Sequence, residues 1–251
     1  MFKTNLFSFR KNLIGLLLAP WLICSANAAE YYAADIIPTA FAKNGVIKGF
    51  AVEIMDEVIN RLGYPEYNTV LLPAKRAFTE PKRNRTAILA NLARSPSREN
   101  HYKWLFRLQN ISLFYVTKKG HKSVTHENAS KLRLVGVLGS AAVHEILNMH
   151  PKIRVHATQN EETNLRMLMA DRIDAWFTSS TLLQGALKKE TKISIKDLSV
   201  GVTVEKLGIY AAAGLNMPDT EVTKWRRAFD TMKKDGTYQA IMSKYFAASI
   251  N

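Results

Sequence analysis

The clearest periodic signal in the chain lies between Phe50 and Leu62, where Ile54, Val58 and Leu62 recur at every fourth position with Met55 and Ile59 beside them. That spacing puts the apolar side chains on one face of an amphipathic helix, and Gly63 stands where a helix end calls for a left-handed residue. Strands are predicted at Tyr31 to Asp35, Tyr67 to Leu72, Thr86 to Leu92, Ile111 to Val116, Leu132 to Leu138, Ile153 to Ala157, Ile173 to Phe177 and Leu207 to Ala213. Helices are predicted between them: Ala74 to Glu80 stopped by Pro81, Ala141 to Met149 closed by Pro151, Glu161 to Ala170, and Ser180 to Leu187. The end is helical, with Asp219 capping Val222 to Lys234, Asp235-Gly236 ending that helix, and Thr237 capping a last one through Tyr245. Pro38, Asn44 and Gly45 mark a loop. Strands alternating with helices over this length imply an α/β fold with mainly parallel sheets. The long polar stretch Lys118 to Ser130 reads as a boundary between two lobes.

The first residues depart from this alternation. Lys3, Arg10 and Lys11 precede an apolar run from Leu13 to Ile23 and the small-residue site Ala26-Asn27-Ala28, the pattern of a cleaved secretory leader. The run is well short of the roughly 20 residues that span a hydrocarbon core. Cleavage after Ala28 leaves 223 residues and places the protein in the periplasm. The single cysteine, Cys24, lies in the leader, which excludes cysteine nucleophiles, disulfides and cysteine metal sites from the mature chain. The net charge of +14 falls by the leader's three cations to +11, which favours anionic ligands or surfaces. Export argues against nucleic acid as the partner. The six histidines show no metal-ligand spacing, and neither a metal nor an organic cofactor is expected.

Ligands of parallel α/β sheets bind beyond the carboxyl ends of strands, and two such turns carry chemistry. After Leu92 comes Ala93-Arg94-Ser95-Pro96-Ser97-Arg98-Glu99. A guanidinium there offers a planar fork for a carboxylate and stays charged when desolvated; an ion pair with Glu99 is the plainer use of such an Arg. The turn Gly139-Ser140-Ala141-Ala142 leads from a strand into a helix, where free backbone N–H groups favour an anion. It gains weight as a site if Arg98 faces it.

Several segments, in order, resemble the bacterial extracellular solute-binding proteins of the polar amino-acid transport type, family 3. They are Gly49-Phe50-Ala51-Val52-Glu53-Ile54 with Arg61-Leu62-Gly63, Pro73-Ala74-Lys75-Arg76-Ala77, Arg94 to Glu99, Val135-Gly136-Val137 with Gly139-Ser140, Asp171-Arg172-Ile173-Asp174-Ala175, and Lys234-Asp235-Gly236-Thr237-Tyr238 with Lys244-Tyr245-Phe246. The resemblance implies a two-lobed periplasmic binding protein (type II) whose hinge is two crossing strands, near Gln109 to Ile111 and Ala213 to Leu215. Lobe 1 would comprise residues 29–110 and 215–251, and lobe 2 residues 111–214. It further implies a monomer that is not an enzyme, capturing a small anionic or zwitterionic ligand and delivering it to an inner-membrane transporter permease. By the same resemblance Arg98 grips the ligand's carboxylate and Ser140 and Ala141 hold it from the other lobe. Asn91 and Ala93 add contacts, and Asp35 reads a basic or polar group.

Two departures from the family pattern bear on the ligand. Ser179 stands where an acidic residue usually meets the ligand's amino group, and a hydroxyl cannot neutralise an ammonium, which speaks against a standard amino acid. Ala74 replaces the aromatic residue of a Pro-aromatic-x-Arg segment, leaving Phe41 or Trp176 to supply a stacking wall. With Arg76 and Arg98 both present, a ligand more negative than a zwitterion becomes an alternative to a zwitterionic one. The rivals are a dehydratase-like enzyme on this scaffold, with Asp35 and Glu145 as candidate acid or base, and a sensing module without transport.

Overall fold

The helix predicted from Phe50 to Leu62 forms with those bounds, and Gly63 closes it at φ 66°, its N–H bonding back to Asn60 and Ile59 carbonyls. The computed structural model describes residues 30–65, 67–139 and 142–246; the expected leader, Ser140 and Ala141 lie outside the described residues. In chain order the elements are β1 (Glu30–Ala34), β2 (Phe41–Lys43), β3 (Val46–Lys48), α1 (Phe50–Leu62), β4 (Asn68–Leu72), α2 (Ala74–Ala77), α3 (Glu80–Arg83), β5 (Ile88–Ala93), a 3-10 helix (Pro96–His101) and β6 (Lys103–Lys118). They continue with α4 (His126–Ala129), β7 (Val135–Leu138), α5 (Ala142–Asn148), β8 (Val155–Thr158), α6 (Glu161–Met169), β9 (Ala175–Ser179), α7 (Ser180–Lys189), β10 (Leu198–Val200), β11 (Glu205–Ala213), α8 (Asp219–Lys234) and α9 (Thr237–Phe246).

Among the described residues one sheet runs in the order β4-β1-β5-β11-β6-β9-β7-β8, with β10 also on β6. Each flank is parallel, β1 pairing with β4 and β5, and β7 with β8 and β9. The centre is antiparallel, because β11 and β6 run against each other and against their outer neighbours. The 16-residue strand β6 therefore belongs to both flanks. Its second half, Leu113 to Val116, pairs with β9, while its first half lies beside the part of β11 that pairs with β5. Helices α1, α8 and α9 pack together on the first flank, where Trp225 is buried against Tyr64 and Tyr67 and Phe229 stacks on Phe106 at 4.3 Å. On the second flank Trp176 is buried with Phe114, Leu165 and Leu168.

Several local expectations are corrected. Asn44-Gly45 is the tip of a β2–β3 hairpin, both residues at positive φ as a tight two-residue turn requires. Pro81 opens α3 instead of stopping a helix, since a first-turn proline gives up an N–H that has no partner there. Asp219 is the first residue of α8 and pairs with Lys103, and the last helix is capped by Asp235, which accepts from the N–H and hydroxyl of Thr237. Ile209 to Ala213, expected in the second lobe, belong to a strand that pairs with β5 of the first flank. The polar stretch Lys118 to Ser130 packs on the second flank, where Val124 and Ala129 are buried and the Tyr115 hydroxyl bonds His126 Nδ1.

Candidate functional site

Strand β5 ends at Ala93, and the 3-10 helix that follows turns the Arg98 side chain inward, its residue 9 % exposed. The guanidinium lies over the Phe78 ring at 5.0 Å, and Nη1 donates to the Ala93 carbonyl at 3.3 Å. Neighbouring Arg94 takes the plainer role, donating two bonds to the exposed Glu99 and lying over the faces of Trp104 and Tyr210. The sequence thus offered two guanidinium groups, and the structure separates them into one outward and one inward.

What meets Arg98 comes from α5, the helix that follows the Gly139 turn. Arg98 Nε and Nη2 both donate to Glu145 Oε1, at 2.9 and 2.5 Å. The other oxygen, Oε2, accepts from Ser95 Oγ at 2.7 Å and from Ser97 Oγ. Burial pushes the Glu145 carboxyl up, but the Ser97 and Ser95 hydrogen bonds and the Arg98 charge outweigh it and hold the group below the usual range. Glu145 is therefore a carboxylate at neutral pH, donated by one flank into a pocket made by the other.

Beside this pair lies a cavity of about 50 Å³ walled by Ile36, Phe78, Ile111, Leu182, Leu207 and Ile209, with Arg98 and Asn91 at its polar margin. A larger cavity of about 280 Å³ adjoins Ile36 and Leu182 and is lined by Asp35 and Lys75 from the first flank and by Gln159, Glu161 and Lys189 from the second. Both take walls from the two flanks, so together they form the cleft.

The other expected site residues fall unevenly around it. Asn91 is buried at the smaller cavity, but its side chain is committed: Oδ1 accepts from Ala34 N–H, and Nδ2 donates to Ala34 O and Thr39 Oγ1. Ser179 is buried there too, its hydroxyl capping α7 by accepting from Leu182 N–H. Asp35 is exposed at the mouth of the larger cavity. The single turn of α2 aims Arg76 outward, 68 % exposed with Glu80 3.8 Å away, and it lines neither cavity. Phe41 lies on β2 and lines neither cavity, and Trp176 is buried with its indole N–H on Glu161, so neither supplies a stacking wall; Phe78 does so for Arg98. Sequence reasoning missed Ser95 and Ser97 as partners, and it noted Glu145 without a partner. Nothing in a serine one or three positions from an Arg signals that it faces a carboxylate 48 or 50 residues away. Among the described residues no group of three or more His, Asp or Glu comes together as metal ligands, and no helix is long and apolar enough to cross a membrane.

The family of bacterial extracellular solute-binding proteins, family 3, matches residues 31–248, and the chain belongs to it. It is 25 % identical over 217 residues to the probable amino-acid-binding protein YxeM of Bacillus subtilis (strain 168), covering 85 % of this chain and 81 % of that one. It is 27 % identical over 209 residues to the histidine-binding periplasmic protein of Escherichia coli (strain K12), covering 80 % of each. Its fold is shared with a Streptococcus pneumoniae ABC uptake transporter substrate-binding protein solved with bound histidine: TM-score 0.76 at 19 % identity, over 88 % of this chain and 94 % of the other. The chain is thus a two-lobed α/β solute-binding protein in architecture and family.

Proposed function

We propose that this protein captures a small carboxylate-bearing solute, an amino acid or related organic acid, in the periplasm and passes it unchanged to an inner-membrane permease. The observation that carries this reading is the Arg98 guanidinium, desolvated at the seam and already holding a carboxylate. A site that accepts the Glu145 carboxylate has the shape and charge for another. The amino-acid-binding names of the relatives point the same way. We take lobe 1 as residues 30–108 and 209–246 and lobe 2 as 109–208, following the strand pairing at the two crossings. One chain supplies both walls, so a monomer suffices.

Binding without turnover is favoured over the enzyme reading. A general acid needs a carboxyl pKa raised towards the working pH; Glu145 is instead held low by Ser97, Ser95 and Arg98, and Glu161, which burial does raise, is buried with both oxygens committed to Asn164, Trp176 and Thr178. The decisive experiment is a thermal-shift screen of amino acids, organic acids, sugars and non-acidic cations on the chain from Ala29. A ligand at one hundred times its Kd adds about 2.7 kcal/mol, roughly 5 to 10 °C for a domain of this size. The expected ligand carries a carboxylate and is recovered chemically intact. A neutral sugar as the best ligand would sink the assignment.

Closure itself has a separate test. Gly185 of α7 packs against the Ile37 carbonyl of the opposite lobe, and a Cβ there would lie 2.6 Å from that oxygen. Gly185→Ala is expected to wedge the seam, weakening the screened ligand about tenfold, or about 1.4 kcal/mol, while the ligand-free melting temperature barely moves. Calorimetric titration beside a melting curve reads both.

A further inference from the structure

Resting on the reading that Arg98 takes the ligand's carboxylate, we propose that Glu145 takes the ligand's ammonium group, making it the residue that selects zwitterions over simple acids. Charge must balance inside a seam largely withdrawn from water. In the empty protein Arg98 and Glu145 satisfy each other, their side chains only 10 % and 34 % exposed. A simple acid would capture Arg98 and leave Glu145 with two serine hydroxyls alone. A simple cation would capture Glu145 and strand Arg98 over Phe78. Leaving one member of such a pair without its counter-charge is strongly unfavourable. A molecule bearing both charges replaces both halves of the ion pair at once: its carboxylate takes the Nε and Nη2 donors, and its ammonium takes the Oε1 that those donors release.

The surrounding groups fit this division. Ser95 and Ser97 hold Oε2, so Glu145 keeps its position while Oε1 changes partner. The other carboxylates at the cleft are committed or distant from Arg98: Glu161 accepts from Asn164, Trp176 and Thr178, Glu162 pairs with Lys189, and Asp35 stands exposed at the larger cavity. Arg76, which would have favoured a doubly negative ligand, points away.

The test is calorimetric titration of the twenty common L-amino acids, then of the tightest binder's des-amino acid and carboxamide, against the wild-type protein, Glu145→Gln and Glu145→Asp. The wild type is expected to prefer the amino acid at least a hundredfold over either analogue. Glu145→Gln is expected to lose at least tenfold for the amino acid and nothing for the des-amino acid, with Glu145→Asp in between. Should the Gln variant fail to fold, Glu145→Asp must show the same loss in smaller measure. If Glu145→Gln binds the amino acid as tightly as the wild type, or more tightly, Glu145 is only a competitor for Arg98 and the inference falls. A best wild-type ligand that is an acid without an ammonium group overturns it too, yet leaves the carboxylate role of Arg98 standing. Absence of binding by every amino acid and acid removes both readings together.

Discussion

Arg98→Ala is expected to erase the melting-temperature rise that the screened ligand gives the wild-type protein. The substitution removes the two N–H donors that converge on one carboxylate oxygen, together with the charge that the ligand's carboxylate would meet at the seam. Breaking a desolvated charge pair by deleting one partner costs about 3 to 5 kcal/mol, so affinity should fall by roughly two to four orders of magnitude. Arg98→Lys should recover little, since an ammonium is a point charge without the planar fork. Titration calorimetry of the three proteins measures this, and an Arg98→Ala variant within fivefold of the wild type would refute the central site assignment. Arg94→Ala is the matched control, because Arg94 spends its fork on exposed Glu99.

The second large effect concerns stability and pH. Glu161, the first residue of α6, is buried, and burial raises its pKa to about 7 although Asn164, Trp176 and Thr178 all donate to it. A carboxyl with a raised folded-state pKa binds its proton more tightly folded than unfolded. Its stabilising contribution is therefore complete below the unfolded value near 4.5 and is lost as pH rises through about 7. At 1.36 kcal/mol per pH unit the loss amounts to about 3 kcal/mol. Glu161→Gln keeps the shape, accepts from Trp176 and Asn164 through its oxygen and donates to Thr178 through its amide. Relative to the wild type it should melt at the same temperature near pH 4.5 and several degrees higher at pH 8. Comparing the two proteins cancels other titrations, including that of His126, which burial and His150 pull the opposite way. A difference that stays flat from pH 4.5 to 8 would show that Glu161 is ionised throughout.

Which elements were legible follows from how local their causes are. The α1 face and its glycine end are written within fourteen consecutive residues, and the alternation of strands and helices that defines the flanks is equally local. The first half of β6 escaped notice because its apolar run is broken by Arg107, Gln109 and Asn110, where the strand passes from one flank to the other. The burial alternation slips at that passage, as does the pairing with β11. The outward direction of Arg76 was not legible for a related reason: in a one-turn helix the direction of a side chain depends on how the turn is seated, which no periodicity records.

By itself, then, the sequence determined the alternating α/β plan, the family, and the presence of an Arg suited to a carboxylate at the end of β5. Tertiary structure alone decided that Arg98 turns inward while Arg94 turns out, that Asn91 and Ser179 are spent on backbone groups, and that Glu145 stands opposite Arg98. Secondary structure arises from neighbours a few positions apart, whereas a pair separated by 47 residues is made only when two lobes, joined by two strands, fold their faces together.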